Sequence, residues 1–164
     1  MDINEIIKAV EDSEDFKNID PDHYLVHIFR MMGPDKSEDC QIGYYSKKVD
    51  KIIVFDYNEG IIKATPPQEA FKEKNYIAAL DLSKVKVSMD DALNTAQQVV
   101  KENYPAHLLS KAIVLLQKLP EFGQIWNITV ITHTFQVINI KVDAKTGKTI
   151  KHSMESLLGW KKEE

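Results

Sequence analysis

The chain has a single cysteine, Cys40, in 164 residues. That excludes an intrachain disulfide, and with it the stapled frameworks of small secreted domains, and it favours a reducing compartment. Positive charge is not in excess: 21 basic residues stand against 25 acidic ones, a net charge of −4. Nucleic acid is therefore not expected as a partner, because neutralising phosphates needs a basic face. No apolar run approaches the ~18 residues that span a bilayer. The opening MDINEIIKAV has neither the basic region nor the apolar stretch of a signal peptide. The expectation is a cytoplasmic protein with no membrane contact. Gly-rich phosphate loops, metal-ligand clusters and nucleophile motifs are missing as well. No catalytic residue, cofactor or metal is assigned on this reading, and no enzymatic activity is expected.

What is present suffices for a core. The chain is 43% hydrophobic and 28% charged, far from the composition of disordered segments. At this length it can bury roughly 70% of its unfolded surface without metal or disulfide.

Some residues invite a chemical reading that their surroundings answer more simply. His23 and His27 straddle a predicted strand and share a face, but no third ligand has a fitting spacing for zinc. Cys40 opens a predicted strand with no base assigned to it, and reads as a buried structural thiol. The acidic run Glu11–Asp15 lacks the alternation and glycine of a calcium loop and reads as a solvated helix end. Asn127 begins an N-I-T sequon inside a predicted strand, where glycosylation is not expected.

The strongest pattern is internal repetition. FDYNEGIIKAT, residues 55–65, resembles VDAKTGKTIKH, residues 142–152, with Asp56 matching Asp143 and Gly60 matching Gly147 at one offset of 87. The same offset carries the strand-like YLVHIFRM at 24–31 onto KAIVLLQK at 111–118. It also carries the helical face Ile3, Ile6, Ile7, Val10 to near Met89, Leu93, Ala96 and Val100, which show the same face. Asp2 with Glu5, and Ser88 with Asp91, have the shape of capping boxes.

The expected elements are a helix over 2–17, strands over 24–31, 40–46, 49–57 and 60–64, and a short helix over 66–73. The second set is a helix over 89–103, strands over 110–118, 125–133, 135–143 and 147–152, and a short helix over 153–158. The fold class is α+β. Two tandem repeats are expected, each a helix packed on its own antiparallel sheet with a short C-terminal helix: 1–75 and 88–160, joined by a linker at 76–87 with strand-like character. Asp56, Gly60, Asp143 and Gly147 read as hairpin-turn residues. The acid accepts bonds from the turn's own N–H groups, and the glycine takes a left-handed conformation at no steric cost.

VSMDDALNTAQQVV at 87–100, followed by a strand ending INIKVDAKTGKTIKH at 138–152, resembles the PepSY domain family. In that family a helix introduced by an S/T-x-[DE]-A motif precedes a hairpin ending V-D-A-x-T-G. Ala92 and Asp143–Ala144–Lys145–Thr146–Gly147 stand in those places here. The resemblance is clearest over 87–159 and reaches 2–73 through the repeat. It implies an α+β module without catalytic residues that binds or restrains a protein partner.

Aromatic residues are the candidate binding surface. Tyr44, Tyr45 and Tyr57 in the first half, with Trp126 and Phe135 in the second, lie on strands whose alternation cannot put all of them under a helix. An aromatic surface on the far face would suit a protein partner. The expected function is a non-enzymatic protein-binding module, as monomer or homodimer. The alternatives are a small-molecule binder or enzyme using a cleft between the repeats, and a self-associating structural protein.

Overall fold

Each long helix starts where a side-chain oxygen takes up an orphan backbone N–H. Asp2 accepts from Asn4 N at 2.9 Å and opens α1, Ile3–Asp12. Ser88 accepts from Asp91 N at 3.1 Å and opens α3, Met89–Asn103. The helix expected over 2–17 is interrupted. The Ser13 hydroxyl donates to Val10 O and accepts from Phe16 N, so it ends α1 and caps the short α2, Glu14–Lys17. The computed structural model describes residues 2–33, 39–69 and 77–157.

Among the described residues, nine strands form in two runs. The first is β1 (Tyr24–Met32), β2 (Cys40–Ser46), β3 (Lys51–Asn58), β4 (Ile61–Ala64) and β5 (Gln68–Glu69). The second is β6 (Leu109–Leu119), β7 (Gly123–Thr132), β8 (Gln136–Asp143) and β9 (Thr149–Ser156). A 3-10 turn, Leu82–Lys84, lies between the runs, and no strand forms among residues 77–87.

The sequence reading of two separate sheets is overturned. All nine strands form one antiparallel sheet in the order β4-β3-β2-β1-β6-β7-β8-β9, with β5 also on β3. The join is β1 on β6, from His27 opposite Gln117 to Met32 opposite Ala112. Each run is a meander whose first strand would otherwise be an open edge. Pairing β1 with β6 satisfies both edges at once.

The expected short C-terminal helices are corrected too. Gln68 and Glu69 pair with Ile52 and Lys51 as β5, and residues 70–73 lie outside the described residues. Residues 153–156 belong to β9, where Ser153 stands opposite Asn139. The Ser-Met-Glu-Ser segment has helix-start chemistry, but the unpaired side of β8 offers hydrogen bonds that a single helical turn cannot match.

Both long helices lie on the same face of this sheet. One core cluster joins Ile3, Ile6, Ile7 and Val10 of α1, Met89, Ala92, Ala96, Val99 and Val100 of α3, and alternate residues from both strand runs, among them Ile28, Ile42, Phe55, Leu116, Trp126 and Ile140. Strand periodicity then sends the intervening residues to the opposite face.

The two matched turns differ. Asp143 Oδ1 accepts from Lys145 N at 2.8 Å and Thr146 N at 3.0 Å, and Gly147 has φ +78°. In the first run Asn58 pairs with Ile61 around a two-residue turn, Glu59 (φ +48°) and Gly60 (φ +85°). Two left-handed residues make a tight hairpin that needs no acid upstream. Asp56, the expected turn counterpart of Asp143, is a mid-strand residue opposite Gln41 and Lys63.

A Cβ at Gly147 would meet only Val87 Cγ2 at 3.5 Å, so any cost of Gly147→Ala is conformational. We expect a loss of about 1 kcal/mol or more for Gly147→Ala, and about 0.5–1.5 kcal/mol for Asp143→Asn, which keeps an acceptor. Urea melts of the two variants check this; an unchanged midpoint for Gly147→Ala would place the strain elsewhere.

Candidate functional site

The five aromatics expected to form one surface are dispersed by the fold. Trp126 is fully buried under the helices and donates from Nε1 to Val87 O at 2.9 Å. Tyr44 is also core, edge-on to Phe16 and Phe55, with its hydroxyl 3.5 Å from a Glu11 carboxylate oxygen. Tyr57 is half-buried against the same core. Tyr45 lies on the other face but is buried too, edge-on to Tyr24, with its hydroxyl donating to Asp50. Only Phe135 is open, 61% exposed in the β7–β8 turn with φ +62°.

The helix-free face has a different centre. Phe29 on β1 stands opposite Leu115 on β6, and Met31 opposite Ile113. These four make an apolar strip, half-buried except for the exposed Met31. On one side of it runs a polar ladder. Asn127 Nδ2 donates to Gln117 Oε1 at 3.0 Å; Asn139 Nδ2 donates to Asn127 Oδ1 at 2.7 Å and to Thr129 Oγ1 at 3.2 Å. Lys141 Nζ closes the ladder on Asn139 Oδ1, with its ammonium 5.9 Å from the centre of the Phe122 ring. The ladder spans β6, β7 and β8, and cross-strand amide pairs of this kind hold their side chains in one arrangement. On the other side of the strip, a depression of about 320 Å³ is lined by Asp39, Gln41, Asp56, Asn58, Ile61 and Lys63.

These residues were missed because sequence analysis followed the aromatics. The signal was the other parity of the same strands: Gln117, Asn127, Thr129, Asn139 and Lys141 alternate with core residues.

The chemistry this face offers is hydrogen bonding, apolar contact and charged side chains, among them the ammonium groups of Lys63, Lys141 and Lys151. Cys40 is fully buried on the core side, and burial pushes its thiol up to about 11, so no thiolate is at hand near neutrality. His27 packs across Gly43, and burial holds its imidazole below the ordinary value. His23 Nδ1 lies 2.8 Å from Asp20 O. Among the described residues no three His, Cys, Asp or Glu side chains are grouped so as to hold a metal.

The cleft between the two halves is on the helix side. It encloses about 420 Å³ and is lined by residues 2–4 and 85–89, with Lys86 at its wall. The Asp2 carboxylate and Ser88 hydroxyl that border it are already engaged as helix caps.

No protein-family model matches this chain, and no curated protein does. Among solved structures the fold is similar to that of a putative lipoprotein from Clostridium difficile 630. The TM-score is 0.61 over 93% of this chain and 92% of that one, at 14% identity. At that identity the likeness shows the fold alone. No helix among the described residues is long and apolar enough to cross a membrane.

Proposed function

We propose that this chain is a non-enzymatic, PepSY-like binding module that receives a protein segment on the helix-free face of its sheet. The observation that carries the reading is the pairing of an apolar strip, Phe29, Met31, Ile113 and Leu115, with a hydrogen-bonded ladder ending in Lys141. A partner segment bearing apolar side chains and a carboxylate would complement both. Apolar burial supplies affinity, while the ammonium and fixed amides set orientation. The resemblance of residues 87–159 to PepSY modules points the same way.

The test uses the full chain on beads in native lysate, beside Met31→Glu and Lys141→Glu, each checked for its fold by circular dichroism. A protein captured by the parent and lost with both variants supports the reading. Capture that survives both variants overturns this face as the binding surface. No specific capture at all overturns the protein-binding role, and then directs attention to small molecules in the cleft beside Lys86.

A further inference from the structure

The two outer strands of the sheet are unlike. β4 has four residues and is followed by Pro66 and Pro67, which carry no N–H to offer a neighbour. β9 has eight residues and no proline, and Thr149 to Glu155 are all exposed. Its one irregularity is a register shift that falls between Lys151 and Thr149, leaving residues 151–156 in regular pairing with β8. Among the described residues no strand lies on its outer side. A long, regular, uncovered edge is a template for another strand.

The side chains of β9 identify that strand. Lys151 stands directly opposite Lys141 on the helix-free face, a like-charge pair, and the Lys151 ammonium has no hydrogen bond or ion pair with the described residues. Like charges directly opposed across a ladder destabilise it. A carboxylate arriving on the outer side of Lys151 would offset this repulsion, and β9 itself carries one. Lys151 and Glu155 lie two residues either side of Ser153, on the same face.

We propose that β9 pairs antiparallel with β9 of a second copy, about a two-fold axis at Ser153. Lys151 of each copy then faces Glu155 of the other, twice, on the helix-free face. On the helix side, His152 of each copy faces Met154 of the other and covers a side chain that is 39% exposed in the single chain. The two sheets become continuous with their helices on one side, and the face proposed to receive a protein segment stays open in both copies. Shifting the axis by one residue loses the charge match: about residue 152, Lys151 would meet Ser153, and about residue 154, Glu155 would meet Ser153.

Sedimentation equilibrium of the full chain is the first test, and a dimer is expected. Lys151→Glu and Glu155→Lys each turn two attractive pairs into repulsive ones, so each should raise the dissociation constant about tenfold or more. The double exchange should restore it. Ser153→Cys should form a disulfide-linked dimer on mild oxidation, with the buried Cys40 silent in the parent control. A chain that stays monomeric overturns the proposal. A dimer indifferent to both charge reversals, or one that Ser153→Cys fails to link, overturns the β9 interface even if dimerisation is real.

Discussion

Trp126→Ala lowers the stability of the fold by about 3–5 kcal/mol, the usual range for removing a fully buried large aromatic. Trp126 heads the buried side chains in size and has no exposed surface. It lies on β7, beneath the start of α3, and its Nε1–H meets the carbonyl of Val87, the residue before the Ser88 cap. The substitution therefore empties a large core site and also removes the donor to a carbonyl at the junction between linker and helix. Trp126→Phe separates the two contributions: most of the volume stays, the hydrogen bond goes, and about 1–3 kcal/mol should be lost. Urea unfolding followed by far-UV circular dichroism measures both. If Trp126→Ala costs less than Trp126→Phe, the core has not formed around this side chain as described.

The second large effect is expected at Gly43. A Cβ built there would collide with the His27 ring, whose Cε1, Nδ1 and Nε2 atoms all lie against the glycine. Gly43 and His27 are cross-strand partners at a point where β1 carries a bulge between Leu25 and His27. The ring is thus laid over the neighbouring strand, and only a residue without a side chain lets it lie there. Gly43→Ala should cost about 1–3 kcal/mol, the range for overpacking a filled site. Combining it with His27→Ala should return part of that loss, because the collision needs both side chains. Equal, additive losses would mean that the ring moves aside freely.

The same burial gives stability a pH dependence of known sign. Burial favours neutral His27 and holds its folded pKa below the ordinary 6.5. Below about pH 6.5 the unfolded chain then binds more protons than the folded one. This contribution to stability is complete above pH 6.5 and is lost as pH falls from there through the folded pKa. Melts of the parent and His27→Gln on either side of that pH should show a slope in the first that is reduced in the second.

Local features were legible in the sequence. Asp2 and Ser88 cap helices because an Asp or Ser oxygen reaches a nearby N–H whatever the rest of the chain does. The apolar periods of both helices point to the residues that meet the core. The Asp143 carboxylate caps its turn through N–H groups within three residues of it. Where two local options were nearly balanced, sequence alone chose poorly. Ser13 divides a helix that apolar spacing left continuous, and the Ser153 segment joins an edge strand where its start signal suggested a helix.

What only the tertiary structure decided is how the two strand runs combine, and so which surface faces solvent. The pairing of β1 with β6 joins residues 80 to 90 positions apart. It depends on backbone N–H and C=O groups that every residue but proline carries, so no side-chain pattern announces it. Once that pairing makes one sheet with both helices on one side, Tyr44, Tyr57 and Trp126 pack on the core side, and the polar ladder from Gln117 to Lys141 comes to the helix-free surface. Alternation along each strand was written in the sequence; which of the two faces the helices would cover was settled by long-range packing.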